Sequence, residues 1–304
     1  MGRLRRWTMC FAVAALVTAG SALAQTATAN TDELTLVLNI PAFRLDLFRG
    51  ETRVTSYVVA VGLPRYRTPV GDFVLTDITW NPWWYPPDSE WARHEKITPP
   101  GSSNPMGKVK LHLGGRVYLH ASPFSASIGR AASHGCARML PADAIALARM
   151  IQQRNGSAIA EAAVDSLIAS WDRTRVVSVP GGVRTRIEYR LIEVRQDSLL
   201  LHPDIYRLGK ANREIEALRA LAQTGYDTTE VDRNALRFAV RQSRSKGVSL
   251  PIIAILGKRG AEVFDDRMYL DVGTLLMKIR GRPDIIDSER RLHPFYGLHI
   301  IRAR

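Results

Sequence analysis

The sequence predicts a mainly β chain with helices, an α+β arrangement in which a β-rich main domain is followed by a smaller α/β extension. Three observations lead there. Apolar residues alternate along residues 34–48, two apolar runs at 109–113 and 116–120 are joined by Gly114-Gly115, and helical periodicity appears only in short later stretches.

Taken in order, Leu34-Thr35-Leu36-Val37-Leu38 and Arg44-Leu45-Asp46-Leu47-Phe48 each present one apolar face at a period of two. Gly50-Glu51 marks a turn into a strand over 54–62, and Thr68-Pro69-Val70-Gly71 leads into another over 72–78. Between Trp80 and Gly107 the periodicity stops. That stretch holds Pro82, Pro86, Pro87, Pro99, Pro100 and Pro105 with Trp80, Trp83, Trp84, Tyr85 and Trp91. So many tryptophans need area to bury, so an ordered loop covering a sheet end or walling a cleft is expected.

The Gly114-Gly115 pair is a two-residue hairpin signal, which puts His120 at a strand end. A helix is expected from Pro141, with Asp143 in its first turn, Ala144, Leu147, Ala148 and Ile151 on one face, and Arg154 then Asn155-Gly156 closing it. Residues 183–193 and 198–201 read as strands, 214–222 and 232–241 as helices, and 252–256 and 268–272 as strands.

The chain of 304 residues is 46% hydrophobic and 23% charged, enough for a full core without staples. Residues 1–24 read as an export signal: Arg3, Arg5 and Arg6 precede an apolar run over 9–19, and Ala22-Leu23-Ala24 supplies small residues for cleavage before Gln25. The run is shorter than the roughly 20 residues that cross a bilayer, and no later stretch qualifies, so no membrane span is expected after cleavage. An uncleaved leader would tether the protein instead. The expected location is the periplasm or cell wall. The formal charge of +13 favours anionic surroundings, and for an exported chain these are wall polymer and lipid head groups, which excludes nucleic acid as partner. Of the two cysteines, Cys10 lies in the leader and Cys136 is left alone after cleavage. It cannot form an internal disulfide, so the thiol needs another reason to be there.

That reason is in its neighbours. His120-Ala121-Ser122 is followed, after a loop, by Ser133-His134-Gly135-Cys136-Ala137-Arg138. A free thiol with a pKa of about 8.5 is mostly protonated at neutral pH, so it needs an imidazole or a helix N-terminus nearby. Here His120, His134 and the helix from Pro141 are at hand. The amides of Gly135 and Cys136 are candidate oxyanion donors, and Arg138 is a candidate holder of a substrate carboxylate. His120, His134 and Cys136 are also three zinc-ligand types, but no nearby carboxylate offers a general base. The expectation is therefore a cysteine enzyme without metal or cofactor, with a zinc peptidase of the cell wall as the alternative.

This constellation resembles the L,D-transpeptidases with a YkuD-type catalytic domain: His120, then Ser133-His134-Gly135-Cys136 and Arg138. Residues 68–73, Trp83-Trp84-Tyr85-Pro86-Pro87, Asn104-Pro105-Met106-Gly107 and His202-Pro203-Asp204-Ile205-Tyr206 resemble the family as well. Ala121 stands where Gly is common, with a more restricted φ. The resemblance implies a YkuD-like catalytic domain over 25–207 and leaves 208–304 as a C-terminal extension without an assigned role. It implies that Cys136 attacks a tetrapeptide stem of peptidoglycan, with His120 as base, Ala121 orienting it through its carbonyl, and His134 and Ser133 supporting the site. Trp84, Tyr85 and Met106 would line the substrate cleft. An amine of a second stem, or of a lipoprotein, would accept the acyl group; water in its place would make the enzyme an L,D-carboxypeptidase or amidase. A wall-binding protein without activity has no need of an activated thiol.

Overall fold

The computed structural model describes residues 32–156, 159–209 and 212–256. The expected leader, the strand at 268–272, Cys10, His293 and His299 lie outside them. No helix among the described residues is long and apolar enough to cross a membrane.

The strands of the main domain are β1 (Leu34–Asn39), β2 (Arg44–Arg49), β3 (Thr52–Gly62), β4 (Gly71–Trp80), β5 (Val109–Gly114), β6 (Val117–Ala121), β7 (Ala131–Ser133), β8 (Ala137–Met139) and, after helices α1 (Pro141–Arg154) and α2 (Glu161–Ala169), β9 (Arg175–Glu188). They form one mixed sheet in the order β2-β1-β9-β4-β5-β6-β8-β3-β7. Because β2 also pairs with β3, the sheet closes on itself as a barrel-like core, with β7 attached to β3 alone. Three pairs are parallel: β1 with β9, β6 with β8, and β3 with β7.

The period-two pattern does the work expected of it. Leu34, Leu36 and Leu38 of β1, Leu75 and Ile78 of β4, and Leu111 and Leu119 of β5 and β6 are all buried in one cluster. On α1, Ala144, Leu147, Ala148 and Ile151 face that cluster, and the helix packs on β5 and β6, the strands that carry the site. Trp80 is fully buried and its indole N–H donates to Gln152 Oε1 at 3.0 Å.

The loop after Trp80 is ordered by side-chain amides. Asn81 Nδ2 donates to the carbonyls of Leu167, Ser170 and Arg173, and Asn104 Nδ2 to those of Pro82, Thr98 and Pro99. A β-bridge joins Trp84 to Thr98.

A second layer follows: β10 (Ile192–Arg195), β11 (Ser198–Leu201), α3 (Arg213–Gln223), α4 (Arg233–Gln242) and β12 (Val248–Pro251). The three strands form an antiparallel sheet under the two helices, around Leu199, Leu201, Ala217, Leu221, Leu236 and Ile252. Asn212 and Asp232 cap the helices through their side chains. This layer begins at Leu191, and Tyr206 packs back into the barrel core. A boundary at 207 therefore falls inside the layer.

Three local expectations change. The strand expected at 252–256 is a helical turn at Ile252–Ala254, with the strand just before it, because Ile252 and Ile255 point inward three residues apart. The run 183–193 is split between two sheets at Tyr189–Leu191. α2 was not foreseen; only Val164 and Leu167 bury on it, too few to stand out as a period.

Candidate active site

Strand register builds the site. In the parallel β6–β8 pair, His120 lies opposite Arg138, flanked by Leu119 opposite Ala137 and Ala121 opposite Met139. The flanking residues are buried in the core. Side chains alternate across a strand, so Tyr118, His120, Cys136 and Arg138 share the other face. Strand β5 adds Lys110 opposite His120 and His112 opposite Tyr118, and β4 adds Asp77 opposite His112. Two polar rows cross the sheet, Asp77-His112-Tyr118-Cys136 and Lys110-His120-Arg138.

His120 is 4% exposed, and its Nδ1 lies 2.8 Å from the Ala121 carbonyl oxygen. A carbonyl only accepts, so Nδ1 carries the proton and Nε2 keeps a lone pair. Burial pushes the His120 pKa down to about 4; the Ala121 carbonyl opposes this, while Arg138 and Lys110 add to it. At neutral pH the ring is an uncharged base of fixed tautomer.

Cys136 is half-buried, and its thiol donates to the Arg116 carbonyl at 3.6 Å. Burial pushes the thiol up; the Tyr118 backbone N–H, Arg138 and Lys110 pull it back. Thiol and imidazole are thus both neutral at rest. The two cations and the amide favour the thiolate once a proton leaves.

The turn before Cys136 is held by Ser133. Its hydroxyl donates to the Cys136 carbonyl and accepts the Gly135 N–H at 3.1 Å. Gly135 has φ +117, so the turn needs glycine there. Its amide, expected as an oxyanion donor, is already used by Ser133, which leaves the Cys136 amide of the expected pair.

His134 is exposed and stacks on Trp91 with ring centroids 3.8 Å apart and planes 5° apart; Tyr66 approaches it at 4.7 Å. Burial, with Arg138 and Arg65, lowers its pKa.

Arg138 and Lys110 both lie on the site face, and burial lowers the pKa of each. Lys110 also sits over the Tyr118 ring at 5.0 Å. Among the described residues neither has a carboxylate at ion-pair distance.

Of the aromatic loop, Trp91 reaches the site. Trp84 is 8% exposed and buried within the loop, while Tyr85 is 64% exposed and stacks on Trp83. Met106 is tied by its N–H to Asn104 Oδ1. The next residue, Gly107, has φ +59, and a Cβ there would lie 2.9 Å from the Ala121 carbonyl. This turn therefore backs directly onto the group that orients His120.

Sequence reasoning missed Lys110, Tyr118 and Tyr66, and named Trp91 as one of the loop tryptophans without singling it out for the site. Lys110 and Tyr118 follow from the Gly114-Gly115 hairpin once its register is known; for Tyr66 no local signal exists. Among the described residues no three His, Cys, Asp or Glu side chains are grouped as a metal centre would need.

Residues 33–177 match the sequence model of the YkuD family, the L,D-transpeptidase catalytic domain. A search of solved structures gave similarities to L,D-transpeptidases, three of which follow. One, from Mycobacterium smegmatis, is 20% identical over 51% of this chain and 58% of its own, with a TM-score of 0.33. L,D-transpeptidase 3 from Mycobacterium tuberculosis is 13% identical over 51% and 60%, with a TM-score of 0.34. The Enterococcus faecium enzyme is 10% identical over 51% and 50%, with a TM-score of 0.36. The chain thus spans 50% to 60% of the length of these three. A comparison with curated proteins gave no match.

Proposed function

We propose that this chain, whose residues 33–177 carry a YkuD-type L,D-transpeptidase catalytic domain, is an exported cysteine acyltransferase acting on peptidoglycan stems. The observation that carries the reading is the sheet face on which His120, locked by its Nδ1 to the Ala121 carbonyl, lies one strand from Cys136.

In the proposed cycle, His120 Nε2 takes the proton from the Cys136 thiol as sulfur attacks the carbonyl between the third and fourth stem residues. The Cys136 amide faces the developing oxyanion. The tetrahedral adduct collapses, the carbon–nitrogen bond breaks, and the departing D-alanine amine takes the proton from His120. A thioester remains on Cys136. An amine of a second stem then attacks it, gives its proton to His120, and leaves as the new amide while the thiol re-forms. A lipoprotein side chain is the other acceptor of this chemistry.

Arg138 and Lys110 suit a substrate with carboxylates on either side of the cleaved bond, since they bring positive charge to a face whose carboxylate, Asp77, is paired with His112 at 3.2 Å. His134, backed by Trp91, forms the wall where the stem enters. Export through a leader at 1–24 agrees with a basic protein that meets anionic polymer outside the inner membrane.

The test is intact mass spectrometry of the protein with tetrapeptide-stem muropeptides, alongside Cys136→Ala. An adduct of the tripeptide stem on the wild type alone, with cross-linked dimer released, is expected. Free tripeptide without dimer would make the enzyme a carboxypeptidase. No adduct would sink the thiol mechanism.

A further inference from the structure

The segment His202-Pro203-Asp204-Ile205-Tyr206 lies beyond the barrel strands, yet its polar side chains form a network that reaches the barrel through Glu193 and Tyr206. His202 Nε2 lies 2.9 Å from Glu193, which also accepts from Arg44 of β2 at 2.6 Å. Asp204 accepts the Tyr189 hydroxyl at 2.6 Å and the N–H groups of Leu208 and Gly209. The Tyr189 hydroxyl in turn accepts the Tyr206 N–H at 2.6 Å, and the two rings stack with centroids 5.5 Å apart.

Tyr206 itself is 2% exposed, and its hydroxyl reaches the loop between β3 and β4. It donates to the Gly62 carbonyl at 2.7 Å and accepts the Thr68 N–H at 3.1 Å. Thr68 Oγ1 accepts the Gly62 N–H at 2.8 Å, so both ends of the loop are closed on one hydroxyl. The other side of the loop is joined to the nucleophile turn: Gly62 pairs with Ser133, and the Leu63 N–H donates to the Ser133 carbonyl at 2.9 Å. Ser133 then holds the Cys136 carbonyl. Tyr66, carried by the same loop, contacts His134.

We propose that Tyr206 is a positioning residue for Cys136, acting through the Gly62–Thr68 loop and Ser133, so that the second layer is part of what sets the nucleophile. The inference rests on the reading of Cys136 as the nucleophile. Burial of a hydroxyl with both partners satisfied gives the loop one geometry, and loss of that oxygen leaves a buried carbonyl and a buried amide unpaired.

The test uses the full chain and two variants on opposite sides of the clamp, Tyr206→Phe and Thr68→Val, which keep ring and branch. Modification of Cys136 by iodoacetamide is followed by mass spectrometry of its own peptide across pH, beside acylation by a tetrapeptide stem. Each variant is expected to slow both by about tenfold, a fraction of the loss that a misplacement of about 1 Å produces, with the chain still fully folded at the assay temperature although the unpaired groups lower its melting temperature. The double variant should slow them no further than either single one, because both act on one loop. Hydrogen exchange at Ser133 and Gly135 should quicken while β1 and β9 amides stay protected.

Unchanged or faster modification in Tyr206→Phe, losses that multiply in the double variant, or losses that come with partial unfolding at the assay temperature would each overturn the proposal. If the stem fails to acylate even the wild type, the substrate reading falls, and the iodoacetamide series still decides the clamp.

Discussion

Two clusters of charge, one around Cys136 and one around Glu193, use similar residue types and arrive at opposite electrostatics. Around Glu193, Arg44 bridges to Asp46 at 2.8 Å and to Glu193 at 2.6 Å, Arg195 reaches Asp46 at 2.9 Å, and His202 completes the set. Hydrogen bonds and cations hold the Glu193 pKa down to about 2 against the opposing pull of burial. Around Cys136, Lys110 and Arg138 have no carboxylate at ion-pair distance among the described residues, and burial shifts thiol, imidazole, amine and guanidinium all towards their neutral forms. A cluster that closes its own charge balance joins two layers. One that leaves it open is suited to an anionic ligand.

The comparison breaks most sharply by substitution. Cys136→Ser should lower turnover at least about a thousandfold, since the hydroxyl is a far weaker nucleophile beside a weak base. Its denaturant midpoint should match the wild type, as the oxygen is smaller and half-exposed. Activity near the wild-type level would remove the thiol from the mechanism. In the other cluster, Glu193→Ala leaves Arg44 buried against fewer anions and should cost about 3–5 kcal/mol of stability in urea unfolding. A loss within experimental scatter would mean that the layers are joined by apolar packing alone.

Acid separates the two clusters by pH. His120 has its folded pKa lowered to about 4, below an unfolded value of about 6.5, so the neutral ring's contribution is complete above about pH 6.5 and is lost as pH falls towards 4. That loss is roughly 3 kcal/mol at most. Glu193, lowered to about 2, contributes fully above about pH 4.5 and loses its share between there and 2. Stability measured from pH 7 down to 3 should fall in two stages, and His120→Gln should flatten the first. A single stage that His120→Gln leaves untouched would contradict the burial of a neutral imidazole.

The smallest expected effect is Arg138→Gln. A charge-assisted hydrogen bond to a carboxylate contributes about 1.5–3 kcal/mol, so KM for acidic stems should rise roughly tenfold to a hundredfold, with stability unchanged. An amidated stem should lose the difference between variant and wild type. If it does not, Arg138 acts on the thiol instead.

How far these clusters could be read in the sequence differs in the same way. Cys136, His120 and His134 stood out because a lone thiol close behind two histidines is chemically conspicuous. Lys110 and Tyr118 did not, since what makes them part of the site is the pairing of Lys110 with His120 and the place of Tyr118 beside Cys136, a cross-strand register that residue types alone do not encode. The Gly135 amide was read as an oxyanion donor, but its partner depended on the Ser133 rotamer. The barrel strands were legible through their alternation. Helix α2 was not, because two buried residues carry too little period, and Ile252 was misread because inward residues three apart had been taken for a strand.

One pairing in the barrel has a consequence for how the chain reaches this state. Strand β1 lies between β2 and β9, and its parallel partner Arg184 is about 150 residues from Thr35. Local hairpins such as β5–β6 form in microseconds, while this contact requires the ends of a long loop to meet. High contact order slows folding, so the barrel closes late, after most of the chain has been synthesised. Until β9 arrives, β1 and β4 lack their shared neighbour, and the species at risk of aggregation is the open sheet with those two edges exposed.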